Sequence, residues 1–428
     1  MTIAAAVIPD RLRALPRPPL ALVFLLAALL VVSRRPGVLL HATFWAEDGW
    51  RWYPEAYTMG WSSLFKPWTG YLQTISRLVA LAAQPFPLSW APTLFAGAAI
   101  LVQAGVATFM LSDRLAELCP RWTVRAAFAL LYVLLPNSFE VYANLTNVQW
   151  HLALLAFLVC VGRPPAGAVG RGFDLLVLVL SGLSGPCCVF VLPVALWRAF
   201  MRGDRADLVR FAILLLCVVV QLWCLFGGGG GRAAPPLGAG PRRLTLILSL
   251  QVILPLLIGR HSDPVYTELP WWTNGVMPAA VFALAAALTA RTLVVGPAAV
   301  RFGCVFAGGI MLAALVRPAI GSSDPAWFAM SHPDVGDRYY VMPMLCWGAV
   351  LFAAAADRWV AVRYTARALL LLAAVMLPGD WHLPSGFTFG GRTDFVQRAR
   401  SFADAPSGTV MSFPVNPVGV EPMVLRKR

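Results

Sequence analysis

The chain alternates long apolar blocks with short polar segments. Apolar blocks lie at 20–32, 91–111, 126–136, 148–161, 173–183, 187–200, 211–226, 244–258, 276–290, 302–316, 339–356 and 368–377. As helices, blocks of about 15 to 20 residues span or nearly span the hydrocarbon core of a bilayer. The pattern therefore predicts an all-α polytopic membrane protein whose helices are joined by polar loops.

Composition agrees with a protein that faces lipid. The chain is 59% hydrophobic and 13% charged, with a mean hydropathy of +0.71, whereas soluble domains carry about a quarter charged residues. The net charge of +14 comes from arginines clustered between apolar blocks, as in the cytoplasmic loops of membrane proteins. Since no separate basic face with stacking aromatics is present, a nucleic-acid partner is not expected; membrane lipids are.

The arginine clusters also orient the chain. With Arg11, Arg13 and Arg17 inside, the later clusters fall inside at alternate helix ends, provided that block 244–258 is a short helix lying on or dipping into the outer interface. This predicts about 11 transmembrane helices (range 10–12), a membrane domain at 1–378 with an outer loop at 37–90, and a short outer tail at 379–428. The alternative has twelve spans and an inside tail.

The first outer loop holds unusual chemistry. Residues 44–57 read FWAEDGWRWYPEAY and place acidic residues among aromatic ones, in a chain with only 20 Asp plus Glu. A carboxylate here could remove a proton from an acceptor hydroxyl as that hydroxyl attacks a sugar carbon, and burial against Trp45 and Trp50 would raise its pKa. Asp48 and Glu47 are the candidate catalytic residues, and the choice between them stays open. A solvated acidic turn is the alternative.

Further candidates lie at the outer ends of helices. Basic residues there suit a phosphate, and polar side chains at a membrane boundary are costly unless they face a cavity or cap a helix. The candidates for a donor phosphate or sugar are Lys66, Arg77, Asn144, Asn147, Gln149, His151, Arg338 and Tyr339. The alternatives are snorkelling side chains for Lys66 and Arg77, a core histidine at His151, and an ion pair of Arg338 with its neighbour Asp337.

Several short motifs resemble the GT-C superfamily of integral membrane glycosyltransferases. They are the AEDG that contains Glu47 and Asp48, an RYY-P element at Arg338, GYLQTISR, NLTNVQW, LSGP and the tail FPVNPVGVEPMVL. Together they look most like the bacterial branch near the O-antigen glucosyltransferase-like proteins.

The resemblance implies a polyprenyl-phosphate sugar donor, consumed outside the bacterial cytoplasmic membrane with inversion at the sugar carbon. The carboxylate at Asp48 or Glu47 would be the base, and Lys66, Arg77 or Arg338 would contact the donor phosphate. A glycan or lipid of the cell envelope would be the acceptor. No second acidic motif for an obligatory metal is present, so no metal ligands are assigned, and a divalent cation is the one cofactor left open.

Two rival functions remain. A lipid-linked sugar flippase or transporter would place ionisable residues in interrupted helices near the bilayer midplane and often shows an internal repeat. Here the charges concentrate in outer loops, which favours the enzyme. An O-antigen polymerase or ligase would use similar outer-loop chemistry on a diphosphate-linked chain.

Overall fold

The computed structural model describes residues 16–40, 42–227, 236–268, 272, 274–320, 324–333, 335–383, 392–417 and 419–428. Arg11 and Arg13, on which the orientation partly rests, lie outside these residues. The structure is 72% helical with little sheet.

The α-helices follow the apolar blocks closely. They are α1 (Leu20–Arg34), α2 (Gly37–Leu40), α3 (Tyr53–Met59), α4 (Thr74–Ala83), α5 (Ala91–Leu111), α6 (Trp122–Leu134), α7 (Val148–Val161), α8 (Ala168–Gly182), α9 (Cys188–Arg202), α10 (Arg205–Gly227), α11 (Pro241–Leu248), α12 (Leu254–Ile258), α13 (Ser262–Glu268), α14 (Val276–Val295), α15 (Ala298–Val316), α16 (Ala326–Met330), α17 (Val341–Ala354), α18 (Val360–Met376) and α19 (Arg392–Asp404).

Shorter elements connect them. Two π-helices lie at Asp48–Trp52 and Ser249–Ile253. Short 3-10 helices lie at Gly60–Phe65, Leu88–Trp90, Asp113–Leu115, Phe139–Val141, Gly259–His261, Asp337–Tyr339 and Leu377–Asp380. The strands β1 (Val410–Phe413) and β2 (Met423–Arg426) pair antiparallel.

Six helical runs of the described chain are long and apolar enough to cross a membrane. They are Leu88–Leu111, Arg205–Gly227, Pro241–Val265, Val276–Val295, Ala298–Val316 and Val360–Asp380. Large apolar side chains such as Leu29, Trp223 and Leu371 are exposed on the outside of the helices. Soluble monomers rarely expose such extended apolar surface, so the fold is that of a mostly helical membrane protein, as the hydropathy predicted.

The main core lies where α7 packs between its neighbours. Helix α5 packs on α1, α6 and α7, and α9 packs on α7, α10 and α15. Every residue of α7 is buried, so this helix is central and its polar residues cannot reach the lipid. Ring contacts such as Phe157 against Phe306, with centroids 4.9 Å apart, join the two halves of the core.

The run Pro241–Val265 has a shape that the sequence did not fully predict. It is 25 residues long, so the expectation of a short helix is wrong for its length. The run contacts the C-terminal end of α16 and the turn after α18. Gln251 donates to the carbonyl of Met330 (3.2 Å), and the backbone N–H of Arg260 donates to Asp380 (2.7 Å). Leu256 lies beside Gly348, two turns into α17, so the run dips towards the core.

One end of the bundle is held by buried ion pairs. Arg114 binds both carboxylate oxygens of Asp174 (2.6 and 2.7 Å), and Arg210 contacts Asp174 (2.6 Å) and Asp207 (2.8 Å). These contacts tie the segment after α5 to α8 and α10. We call this the arginine-rich end.

The tail folds back on the first loop after α1. The backbone N–H of Asn416 donates to the carbonyl of Phe44 (2.9 Å), and Trp45 and Asn416 form a parallel bridge. Phe395 and Phe413 are fully buried in a second core that also contains Phe44. The hairpin β1–β2 is an addition to the predicted all-α fold, and it lies on the same side as the Asp48 loop.

Candidate functional site

Asp48 opens a π-helix, Asp48–Trp52, at the start of the acidic aromatic loop. The turn that precedes it holds Ala46 at φ 42°, a left-handed conformation that costs an alanine energy. π-Helical turns and strained residues both concentrate at functional sites. The backbone at Asp48 is therefore irregular, and contacts with the surrounding structure determine where its side chain points.

The Asp48 carboxylate is held by the segment before α7. It accepts hydrogen bonds from the backbone N–H of Leu145 (3.1 Å) and from the hydroxyl of Thr146 (2.8 Å), and Trp52 Nε1 donates to the same hydroxyl (3.2 Å). Asp48 is 2% exposed. Burial raises its pKa well above the ordinary value, and the hydrogen bonds only partly oppose this shift.

A cavity of about 20 Å³, room for one water molecule, lies beside this carboxylate. Its lining includes Asp48, Arg35, Trp45 and Asn144. The Arg35 guanidinium donates to the carbonyls of Phe139 (3.4 Å) and Tyr142 (3.1 Å) and lies 4.9 Å from the Trp45 ring centre. Burial lowers the pKa of Arg35 to about 10, so it is still a cation at neutral pH.

Glu47 takes a different position from its neighbour. It is half-buried, and its carboxylate makes no hydrogen bond or ion pair with the described part of the chain. It does act on Asp48, because its charge contributes to raising the Asp48 pKa. The geometry therefore favours Asp48 over Glu47 as the held, perturbed carboxylate.

Glu55, the third acidic residue of the loop, is the centre of a cationic cluster. Its carboxylate contacts Arg51 Nη1 (3.1 Å), Lys66 Nζ (2.7 Å) and Arg77 Nη1 (2.7 Å). Burial acts to raise the Glu55 pKa, but hydrogen bonds and charges from Lys66 and Arg77 outweigh burial and lower it. Three cations around one carboxylate leave two net positive charges. We call these four residues the Glu55 cluster.

Arg77 has donors to spare within the Glu55 cluster. It is fully buried, and its Nε and Nη2 have no hydrogen-bond partner among the described residues. Its guanidinium lies 4.9 Å from the ring centre of Trp52, the residue that bonds Thr146 beside Asp48. Arg77 is therefore not a snorkelling residue, and Trp52 and Thr146 connect the Glu55 cluster to the Asp48 carboxylate.

The segment 140–147 connects Asp48 to Arg338. Asn144 Nδ2 (2.6 Å) and Asn147 Nδ2 (2.8 Å) both donate to the carbonyl of Glu140. The Glu140 carboxylate accepts the backbone N–H of Arg338 (3.0 Å) and pairs with its guanidinium. The sequence offered Asp337 or a phosphate as partners of Arg338; in the structure the partner is Glu140.

The remaining candidates have structural partners. The Gln149 amide accepts from Gln73 (3.4 Å), and the Tyr339 hydroxyl accepts from the backbone of Ala319 (2.9 Å). The His151 ring contacts the Tyr132 hydroxyl (2.7 Å), the Gln103 amide (2.9 Å) and the Val141 carbonyl (2.9 Å). His151 is thus a hydrogen-bonded core histidine, the alternative that the sequence offered, and it does not contact the Asp48 carboxylate.

Sequence reasoning missed Arg35, Thr146 and Glu140, and it recognised Glu55 only as part of an acidic loop. A signal existed for Arg35, because an arginine at the predicted outer end of α1 departs from the rule that places positive charge inside. Thr146 and Glu140 carry no such signal.

Comparison with known proteins gives no further guidance to the site. The chain matches no protein-family model, no curated protein and no solved structure.

Proposed function

We propose that the protein is an inverting glycosyltransferase of the membrane that takes a sugar from a polyprenyl-phosphate donor to a glycan or lipid acceptor of the cell envelope. One observation carries the proposal: Asp48, a buried carboxylate with a raised pKa, lines the same cavity as the Arg35 cation. The donor class is taken from the resemblance of the AEDG and RYY-P motifs to the GT-C superfamily.

In the proposed reaction Asp48 is the general base. The acceptor hydroxyl attacks the anomeric carbon of the donor sugar and gives its proton to the Asp48 carboxylate, while the bond between that carbon and the phosphate oxygen breaks. The polyprenyl phosphate leaves with the bonding electrons. A carboxylate whose pKa has been raised accepts a proton more readily than an ordinary one, and Thr146 fixes its direction.

Arg35 and the Glu55 cluster support the proposal by their charge. A leaving phosphate needs cationic donors near it, and arginine offers paired N–H groups that match phosphate oxygens. Arg35 is at the cavity, and two nitrogens of Arg77 have no hydrogen-bond partner in the described part of the chain. Arg35, Lys66 and Arg77 are accordingly assigned to the donor phosphate. Arg338 is assigned to positioning the segment 140–147 through Glu140.

The proposed topology has about eleven spans, with the Asp48 loop on the outer face of the bacterial cytoplasmic membrane. The contacts of Asn416 with Phe44 support it, because the tail must then lie on the same side as that loop. An odd number of crossings after an inside start meets this condition. The run Pro241–Val265 would dip into the outer interface and return.

Turnover with defined donors tests the proposal. Purified protein is incubated with a panel of radiolabelled polyprenyl-phosphate sugars and an envelope lipid extract, alongside Asp48→Asn and Glu47→Gln. We expect sugar transfer by the wild type, a loss of about 10²- to 10⁴-fold in Asp48→Asn and little loss in Glu47→Gln. Asp404→Asn, at an exposed position of α19, is the matched control.

Two results would change the assignment. Full activity of Asp48→Asn would remove Asp48 as the base, and loss confined to Glu47→Gln would transfer that role to Glu47. Donor binding without transfer, with every acceptor extract, would instead support a flippase for lipid-linked sugars.

A further inference from the structure

An apolar groove lies beside the arginine-rich end, and none of the residues that line it belongs to the Asp48 loop. Its volume is about 160 Å³, and its walls are apolar residues of α6, α7, α15 and α17 together with the segment after α5. Phe128, Phe157, Phe306 and Phe352 are among them. The groove includes Leu115 and Leu118, which follow Arg114 of the arginine-rich end within one turn or two.

Among the residues that the structure describes, Arg125 is the one charged residue in the lining of this groove. It is 4% exposed, and its Nη1 donates to the carbonyl of Ser112 (3.1 Å). Its Nε and Nη2 have no hydrogen-bond partner among the described residues. Nη2 is 3.6 Å from Asp113, a side chain that is mostly exposed and is shared with Arg17. A buried guanidinium with two unfilled donors requires an anion or a strong acceptor.

The charge around Arg125 is positive. Arg121, which immediately precedes α6 and whose carbonyl accepts the backbone N–H of Arg125, also has a buried nitrogen, Nη1, without a hydrogen-bond partner among the described residues. Arg17 and Arg125 share the carboxylate of Asp113, so these three side chains carry one net positive charge, to which Arg121 adds its own. An occupant therefore needs an anionic group at Arg125 and an apolar body for the phenylalanine-rich walls.

We propose that this groove binds one acyl chain of an anionic membrane phospholipid, with the lipid phosphate on Arg125 and Arg121. The apolar walls exclude a water-soluble anion as the main occupant, because free phosphate would leave the groove empty. A zwitterionic phospholipid carries its own compensating cation and therefore gains less from the net positive charge. The proposal does not depend on the proposed sugar transfer.

Native mass spectrometry of the delipidated full-length protein tests this inference. Phosphatidylglycerol and phosphatidylcholine with identical acyl chains are titrated separately, and inorganic phosphate is the control for the head group alone. We expect phosphatidylglycerol to bind about tenfold more tightly, because charge-assisted hydrogen bonds are worth a factor of this order. Inorganic phosphate should not bind measurably.

Three variants separate the head-group contact from the groove. Arg125→Gln should weaken phosphatidylglycerol about tenfold and remove the preference between the two lipids. Gly303→Leu should weaken both lipids, because a side chain at Gly303 starts in ordinary contact with Cys346 and extends into the groove. Arg171→Gln, at an exposed arginine near the start of α8, should leave binding unchanged.

Several outcomes would overturn the inference. They are equal affinity for the two lipids in the wild type, unchanged binding in Gly303→Leu, or an Arg125→Gln variant that keeps the wild-type preference. Tighter binding of a polyprenyl phosphate than of phosphatidylglycerol, lost in Gly303→Leu, would also overturn it and would make the groove a donor-chain site. If Arg125→Gln fails to fold, the lipid comparison and Gly303→Leu still decide.

Discussion

The Glu55 cluster predicts an asymmetry between two substitutions that remove one charge each. Glu55→Gln leaves Arg77, which is fully buried, without the one carboxylate that pairs with it in the described structure. Arg77→Met leaves Glu55 with Lys66 and Arg51, whose side chains are 44% and 27% exposed. We therefore expect Glu55→Gln to destabilise the protein more than Arg77→Met does.

The expected magnitudes follow from the burial of each charge. A buried ion that loses its partner costs about 3–5 kcal/mol, which is the expectation for Glu55→Gln. Arg77→Met loses one pair and the contact with Trp52 while Glu55 stays paired, so about 1–2 kcal/mol is expected. The double variant removes both charges from the buried site and should be more stable than Glu55→Gln alone.

Thermal unfolding in detergent, followed by the loss of the monodisperse peak, measures this order. Since the pKa of Glu55 is lowered on folding, the stability that it contributes is present above its ordinary pKa of about 4.5 and is lost as the pH falls through the lowered value. The wild type and Glu55→Gln should therefore converge in acid. Equal melting temperatures for the two single variants, or a double variant with additive losses, would refute the reasoning.

Three further predictions concern the surroundings of the site. At pH 8, Asp48→Asn should melt at a temperature equal to or above that of the wild type. Burial raises the Asp48 pKa, so ionisation of Asp48 lowers the stability of the wild type as the pH rises. The prediction is wrong if the melting temperature of the variant, measured relative to the wild type, is lower at pH 8 than at pH 5. Gly185→Ala should lower the free energy of unfolding by about 1–3 kcal/mol, because Gly185 has φ 96° and a Cβ there would lie 1.7 Å from Gln149 Oε1. Adding Gln149→Ala removes the clash but not the backbone strain, so it should restore only part of the lost stability. Gly49→Ala should loosen the tail by about 1–3 kcal/mol, since its Cβ would lie 2.5 Å from Val415; limited proteolysis should detect the released tail, and Val415→Ala should partly reverse the effect.

Hydropathy predicted the helices well because a backbone in lipid must form its hydrogen bonds within the segment itself. A chain in the hydrocarbon core must satisfy its polar groups internally, so each apolar block becomes a helix whatever its neighbours are. The run at 241–265 was harder, since its position depends on contacts with Met330 and Asp380 and not on its own composition. Length and hydropathy alone would have made it an ordinary span.

The candidate site was predictable only where one short segment carries it. The loop with Asp48 and Glu55 stood out because acidic residues are rare in this chain. The partners could not be predicted, since Thr146 lies 98 positions from Asp48 and Glu140 lies 198 positions from Arg338. Such pairs depend on how the helices pack, and a single sequence contains no record of that packing.

The docking of the tail on the first loop has a consequence for synthesis. Asn416 lies 373 positions after Thr43, to which it is hydrogen-bonded. At a synthesis rate of about 5 to 20 residues per second, the tail is therefore made roughly 20 to 75 s after the loop on which it docks. During that interval the Asp48 loop lacks the contacts with the tail. When the tail docks, burial raises the Asp48 pKa, so the last folding step of this site increases the affinity of the carboxylate for a proton, which is the property that the proposed general base uses.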